Sequence, residues 1–170
     1  MDIISVGSIK NASISEIVDV CHNFGIFPRA IQPLEDKYRI CGKAVTVQMV
    51  PGCIEYLNEL LNFIEPGCIV IIAAGGCKHY ANLDREICYA VKEHGATGIV
   101  VYGSITEYAE IVKTGIPVFA CGIRPRTLKS KNMFSCQVAV ACGDVVIRPG
   151  DYIVGDSDGI ISIPQEKVCS

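Results

Sequence analysis

The sequence predicts an α/β fold, a mixed sheet with flanking helices. Two stretches carry that expectation. Residues 66–107 read PGCIVIIAAGGCKHYANLDREICYAVKEHGATGIVVYGSITE. An all-apolar run, Cys68 to Ala74, ends in Gly75-Gly76; a polar, helix-like segment follows; a second apolar run, Gly98 to Tyr102, ends in Gly103. That order is strand, glycine turn, helix, strand, glycine turn. Beyond residue 130 the chain instead breaks into short strands, the pattern of hairpins that pack on or extend a sheet.

Each element follows from local chemistry. Ser13-x-x-Glu16 is a capping box. Ile14, Ile17, Val18 and Cys21 then keep helical spacing, and Gly25 is placed to close the helix in a left-handed cap. Lys43 to Val50 reads as a strand ended by Pro51-Gly52. Ile54, Leu57, Leu60, Leu61 and Ile64 mark one face of a second helix, stopped by Pro66-Gly67. After the central strand, Leu83, Ile87, Ala90 and Val91 mark a third helix with His94 near its C-terminus. Ile105, Tyr108, Ala109 and Val112 mark a fourth, closed by Gly115, and Pro117 to Cys121 is a short strand. Phe134–Cys142, Val145–Arg148, Tyr152–Val154 and Ile160–Ile163 are strands split by Gly, Pro and Asp turns.

With 170 residues, half of them apolar, the chain is long enough for one domain, residues 1–170, with a real core. Net charge is −3, so no global basic field recruits nucleic acid. The start, MDIISVGSIK, has no basic segment followed by an apolar one, so no signal peptide is expected. Cys68 to Ala74 is too short to span a membrane. The expectation is a cytoplasmic protein that contacts no membrane. Its ten cysteines form no CxxC pair and no zinc spacing, so they read as reduced, buried thiols, with Cys77 the exposed exception.

Arg124, Arg126, Lys129 and Lys131 form a small basic run without aromatic interleaving, read as a solvated loop rather than a nucleic-acid contact. A neighbouring subunit or an acidic partner protein is the other reading of that loop. Asp144, Asp151, Asp156 and Asp158 sit in glycine-rich settings that fit turns better than a metal site. The Gly75-Gly76 turn, just before a helix, presents backbone N–H groups where an anion is favoured. Lys78, His79, Asp84 and Arg85 crowd the same segment.

Three blocks together resemble the RraA-like family, which includes the regulator of ribonuclease activity A and metal-dependent 4-hydroxy-4-methyl-2-oxoglutarate aldolases. They are Cys41-Gly42-Lys43-Ala44-Val45-Thr46-Val47, the central segment quoted above, and Val140 to Ile160 with its Pro149-Gly150-Asp151 and Gly155-Asp156-Ser157-Asp158-Gly159. The resemblance implies a β/β/α sandwich, similar to a swivelling domain, in a homotrimer or a hexamer of two trimers with pockets at subunit boundaries. It implies Mg²⁺ or Mn²⁺ as cofactor and a small oxo-acid as substrate. In the family's pattern of Gly, twenty residues, Arg-Asp, two residues and an acid, the Arg clamps a carboxylate and the Asp helps hold the metal.

Here the Arg position is Thr106, the Asp position is Glu107, the early Gly position is Arg85, and the trailing acid is Glu110; the Asp expected before the glycine pair is Ala73. Threonine cannot replace a guanidinium. The expected site is therefore catalytic Arg85, His79 and Lys78, with Gly75, Gly76, Asp84, Arg85 and Thr106 against substrate and Glu107 and Glu110 toward the metal. The carboxylate clamp is moved from Thr106 to Arg85. Three functions follow: a divergent lyase performing aldol cleavage or decarboxylation, a ring that binds or regulates without catalysis, or a phosphocarrier using His79. The last arises because Gly75 to Ala81 with Arg85-Glu86 also resembles the phosphohistidine motif of phosphoenolpyruvate-utilising enzymes.

Overall fold

The strongest local signal, the β-branched run Ile69–Ala73, becomes a strand buried along its whole length. Such a strand must be covered on both faces, which is the setting of parallel sheets. The computed structural model describes residues 3–128 and 133–170, so Lys129 and Lys131 of the basic run lie outside the described residues.

In chain order the elements begin with β1 (Ile4–Ser5), α1 (Val6–Asn11), α2 (Ile14–Val20), β2 (Gln32–Pro33) and β3 (Ile40–Met49). Then come α3 (Leu57–Leu60), a 3-10 turn at Leu61–Phe63, β4 (Ile69–Ala73), α4 (Arg85–Glu93), β5 (Gly98–Ile105), α5 (Tyr108–Lys113) and β6 (Val118–Ile123). The rest is β7 (Phe134–Cys136), β8 (Val140–Cys142), β9 (Val145–Ile147), β10 (Tyr152–Asp156), β11 (Gly159–Ile163), a 3-10 turn at Gln165–Lys167 and β12 (Val168–Cys169).

Among the described residues the main sheet runs β11-β10-β3-β4-β5-β6-β2. The four middle strands are parallel, and β10, β11 and β2 join antiparallel. The flank of β3 is shared: β10 pairs with residues 40–43 and β7 with residues 47–49. On one face Val45, Val47, Val70, Ile72, Ile99 and Val101 pack under α4, α5 and Leu60 of α3. On the other, Ile69, Ile71, Val100 and Phe119 pack against Phe27 and the β8–β9 hairpin. The mixed β/β/α sandwich expected from sequence is thus present. In a third cluster, Ile9, Ile14 and Ile17 of the first helices cover Val154, Ile161 and Ile163.

Four expectations are corrected. The Ser13/Glu16 capping box is formed, but α2 ends earlier than Gly25. His22 and Asn23 take the left-handed conformation, and the Asn23 N–H donates to Val18 O. Gly25 is needed for a different reason: a Cβ there would lie 2.2 Å from Ser162 O. The second helix shrinks to one turn and a 3-10 turn; Tyr56 at its N-cap is buried, with its Oη on Asn82 O, and gives no side-chain capping bond. Gly103 does not end its strand. Pairing between β5 and β6 slips between Val101 and Ser104, and the strand continues to Ile105, which the periodicity placed on a helix. A glycine inside a strand commonly marks such a bulge. Finally, Phe134–Cys142 is two strands, parted by left-handed Gln137.

All ten cysteines are free thiols, and Cys77 is half-buried rather than exposed. Burial pushes the Cys142 thiol up to about 12 and Cys136 to about 11, so both stay protonated at neutral pH and act as small hydrophobes. No helix among the described residues is long and apolar enough to cross a membrane.

Candidate functional site

Parallel strands deliver their loops to one end of a sheet, and ligands of open α/β folds bind beyond those carboxyl ends. Here β4, β5 and β6 deliver residues 74–84, 106–107 and 124–126 to that end. Hydrogen bonds lock the three segments together. The Asn82 N–H donates to Ser104 O (2.8 Å) and the Thr106 N–H to Leu83 O (3.0 Å). The Arg124 N–H donates to Ile105 O (2.8 Å) and the Ala81 N–H to Arg126 O (2.7 Å).

Asn82 fixes the loop from beneath. It is fully buried, and its Nδ2 donates to Val50 O (3.1 Å) and Cys53 O (3.2 Å). Tyr56 Oη in turn donates to Asn82 O at 2.6 Å. Asn82 Oδ1 has no partner among the described residues. Above it the glycine pair turns with both residues at positive φ. At Gly76 a Cβ would meet the Tyr102 ring at 2.9 Å, so only glycine fits there.

The turn offers fewer donors than the sequence promised. The Gly76 N–H goes to Tyr102 O, the Cys77 N–H to Ala74 O and the His79 N–H to Cys77 Sγ. The N-terminus of α4 is likewise supplied with anions by the chain itself. Asp84 caps it, its Oδ1 accepting from the Ile87 N–H at 3.0 Å. Glu107 Oε2 accepts from the Arg85 N–H at 3.1 Å and lies 3.9 Å from Arg85 Nε. The helix dipole thus already faces two carboxylates.

Glu107 holds its pose through a left-handed backbone, φ 56, at the N-cap of α5. Glu110, one turn on, pairs with Lys113 at 2.8 Å. That hydrogen bond and the Lys113 charge hold the Glu110 carboxyl below its usual range. The two carboxylates expected at a metal are therefore each engaged by a cation. Among the described residues no group of three or more His, Cys, Asp or Glu is placed to hold a metal. As arranged, the donor set does not fit a metal shell.

The structure brings Lys78, His79, Asp84, Arg85, Thr106 and Glu107 to one edge, and leaves Glu110 with Lys113. Lys78, His79 and Arg85 are exposed and Thr106 is half-buried. Sequence reasoning passed over Asn82, Tyr102 and the adjacency of Arg124. An asparagine between apolar Ala81 and Leu83 was a visible signal; the sheet contact that sets the Arg124 N–H on Ile105 O was not. Asp151 and Asp156 do serve turns, accepting from the Arg148 and Asp158 N–H groups. A separate cleft lies elsewhere, between Phe24, Ile26, Asp144, Val146 and Arg148. It shares no residue with the strand-end site.

Comparison with known proteins agrees with the fold. Residues 12–162 match the RraA-like family model, described as Aldolase/RraA. A Halalkalibacterium halodurans protein provisionally named 4-hydroxy-4-methyl-2-oxoglutarate aldolase is 30% identical over 158 residues, covering 93% of this chain and 74% of the relative. An uncharacterized Methanocaldococcus jannaschii protein is 30% identical over 169 residues, covering 94% and 76%. Among solved structures, Streptomyces coelicolor RraAS2, described as an unusual member of the RNase ES inhibitor RraA family, superposes with a TM-score of 0.84 at 26% identity, covering 95% of this chain and 86% of that one. The RNA-processing inhibitor RraA from Thermus thermophilis gives 0.82 at 20% identity, covering 91% and 94%, a likeness of fold. On this match the chain belongs to the RraA-like family.

Proposed function

We propose that this chain is a divergent RraA-like carbon–carbon lyase acting on a small oxo-acid. The observation that carries the reading is the strand-end site itself: a glycine turn and exposed cations gathered beyond β4, β5 and β6. Such a site suits an anion whose charge shifts during reaction. In a decarboxylation, the bond to the departing carboxylate breaks and its electron pair moves into the neighbouring carbonyl. CO₂ leaves, and the resulting enolate takes a proton at carbon. Lys78 is the cation assigned to the enolate oxygen, and His79, exposed on the same turn, the group that carries the proton. Aldol cleavage forms the same enolate once a hydroxyl proton is removed. The direct test is pyruvate release from oxaloacetate and from 4-hydroxy-4-methyl-2-oxoglutarate by the purified chain. Release at the spontaneous rate from both would refute the reading.

A divalent ion, in this account, meets Glu107 only in competition with Arg85. Arg85→Ala should therefore tighten Mn²⁺ binding about two- to fivefold by calorimetry, since an exposed ion pair at 3.9 Å, worth roughly 0.5–1 kcal/mol, is removed from the carboxylate. Equal binding by both proteins would show that Glu107 is not a ligand. The assembly proposed is a homotrimer or hexamer. It would cover apolar surface such as Tyr108, Ile123 and Leu128, exposed at 39%, 46% and 42%. A monomeric mass by light scattering at micromolar concentration contradicts it.

One observation favours a second reading, a ring that binds a partner protein without catalysis. Thr106 stands at the clamp position, and Glu107 and Glu110 are both ion-paired. Stable binding of a protein partner by a chain that releases no pyruvate would select it. No contact of the His79 ring among the described residues favours the phosphocarrier reading.

A further inference from the structure

The cations at the strand-end site are not equivalent, and their partners separate them. Arg85 lies beside Glu107. The Arg126 guanidinium sits 5.7 Å over the Tyr80 ring. Lys113 belongs to Glu110. Among the described residues Lys78 and Arg124 have no acidic partner, and Arg124 Nη1 donates only to the neighbouring Ile123 O at 3.0 Å. These two side chains have no carboxylate to give up before meeting a ligand.

Register places them together. β5 and β6 pair Ser104 with Gly122 and Ile105 with Ile123, and the Arg124 N–H donates to Ile105 O at 2.8 Å, which holds Arg124 at the strand end against the Ile105–Thr106 peptide. Ile105 packs into the core under the helices. Ser104 Oγ lies 3.3 Å from the position a Cβ on Gly122 would take, so residues 104 and 122 share one face of this ladder. That face is the one the glycine turn covers, because Ser104 Oγ donates to Cys77 O at 3.0 Å. Lys78 follows Cys77, whose carbonyl is held by Ser104 Oγ, and its charge opposes the burial-driven rise of the Cys121 thiol.

We infer that Arg124 is the residue that binds the substrate carboxylate, which leaves Lys78 for the enolate oxygen, while Arg85 and Glu107 brace the start of α4. The inference rests on the lyase reading of this site and corrects the expectation that the clamp moved to Arg85. A guanidinium offers paired N–H donors that match a carboxylate, and the backbone of Arg124 is held against the Ile105–Thr106 peptide.

Oxalate, a stable dicarboxylate, is the probe, titrated by calorimetry into the full chain and its variants. Arg124→Ala should weaken oxalate binding at least tenfold, and Arg124→Lys should recover part of the loss. Arg85→Ala should change it less than about threefold. Thermal unfolding of each variant reports on the fold; should Arg124→Ala destabilise the chain, Arg124→Lys carries the comparison. Loss of binding with Arg85→Ala and none with Arg124→Ala overturns the inference but leaves the lyase reading standing. Absence of oxalate binding by the unaltered chain, with no pyruvate release, defeats both; pyruvate release without oxalate binding defeats only the assignment of Arg124.

Discussion

Asn82→Ala should lower folding stability by about 2–5 kcal/mol, the largest structural effect expected of any change near the site. Its Nδ2 satisfies two backbone carbonyls, Val50 O and Cys53 O, in a position with no access to water. Alanine removes both donations from this buried position, and it opens a cavity as well. Asn82→Asp keeps the volume but turns a donor into an acceptor, or into a buried charge, so it should be no milder. Chemical denaturation with urea measures both. A loss under 1 kcal/mol in either variant contradicts the role given to Asn82. Since Asn82 also holds the chain between Ala81 and Leu83, a destabilised variant should lose oxalate binding before it loses helix content.

Lys78→Ala should reduce turnover of a cleaved oxo-acid by about two orders of magnitude, with a smaller change in KM. The reason is differential binding. An ammonium set against a developing enolate oxygen interacts more strongly with the transition state than with the substrate, and removing one such electrostatic partner costs roughly 10²–10³ in kcat. Arg124→Ala should show the reverse weighting, a raised KM, because a carboxylate clamp holds substrate and transition state alike. Lys78 is exposed on the turn, so its replacement should leave thermal stability unchanged. Equal losses in KM for both variants would show that Lys78 only binds.

Much of this fold was legible because its signals are local. The apolar run of β4, the Ser13 capping box and the glycine turn are set by neighbours in sequence, and each formed where expected. What escaped notice depends on tertiary contact. The bulge that carries β5 past Gly103 appears only when β6 is laid beside it. Gly25 reads as a helix cap until the backbone of Ser162 is seen against it. The site divides the same way. Its residues could be named from the segment 75–107, but not their partners. Arg85 looked like a free clamp because Glu107, 22 residues away, has no sequence mark as its partner. Arg124 looked like a solvated loop because the contact that sets its N–H on Ile105 O is a property of the sheet.

The central claim is that the working site lies beyond the carboxyl ends of β4, β5 and β6. A crystal structure of the full chain with oxalate tests it most directly. The account predicts oxalate on the face of the glycine turn, with one carboxylate against the Arg124 guanidinium and the Lys78 ammonium within reach. Oxalate bound instead in the cleft between Phe24 and Arg148, with the strand-end cations facing bulk water, would contradict it.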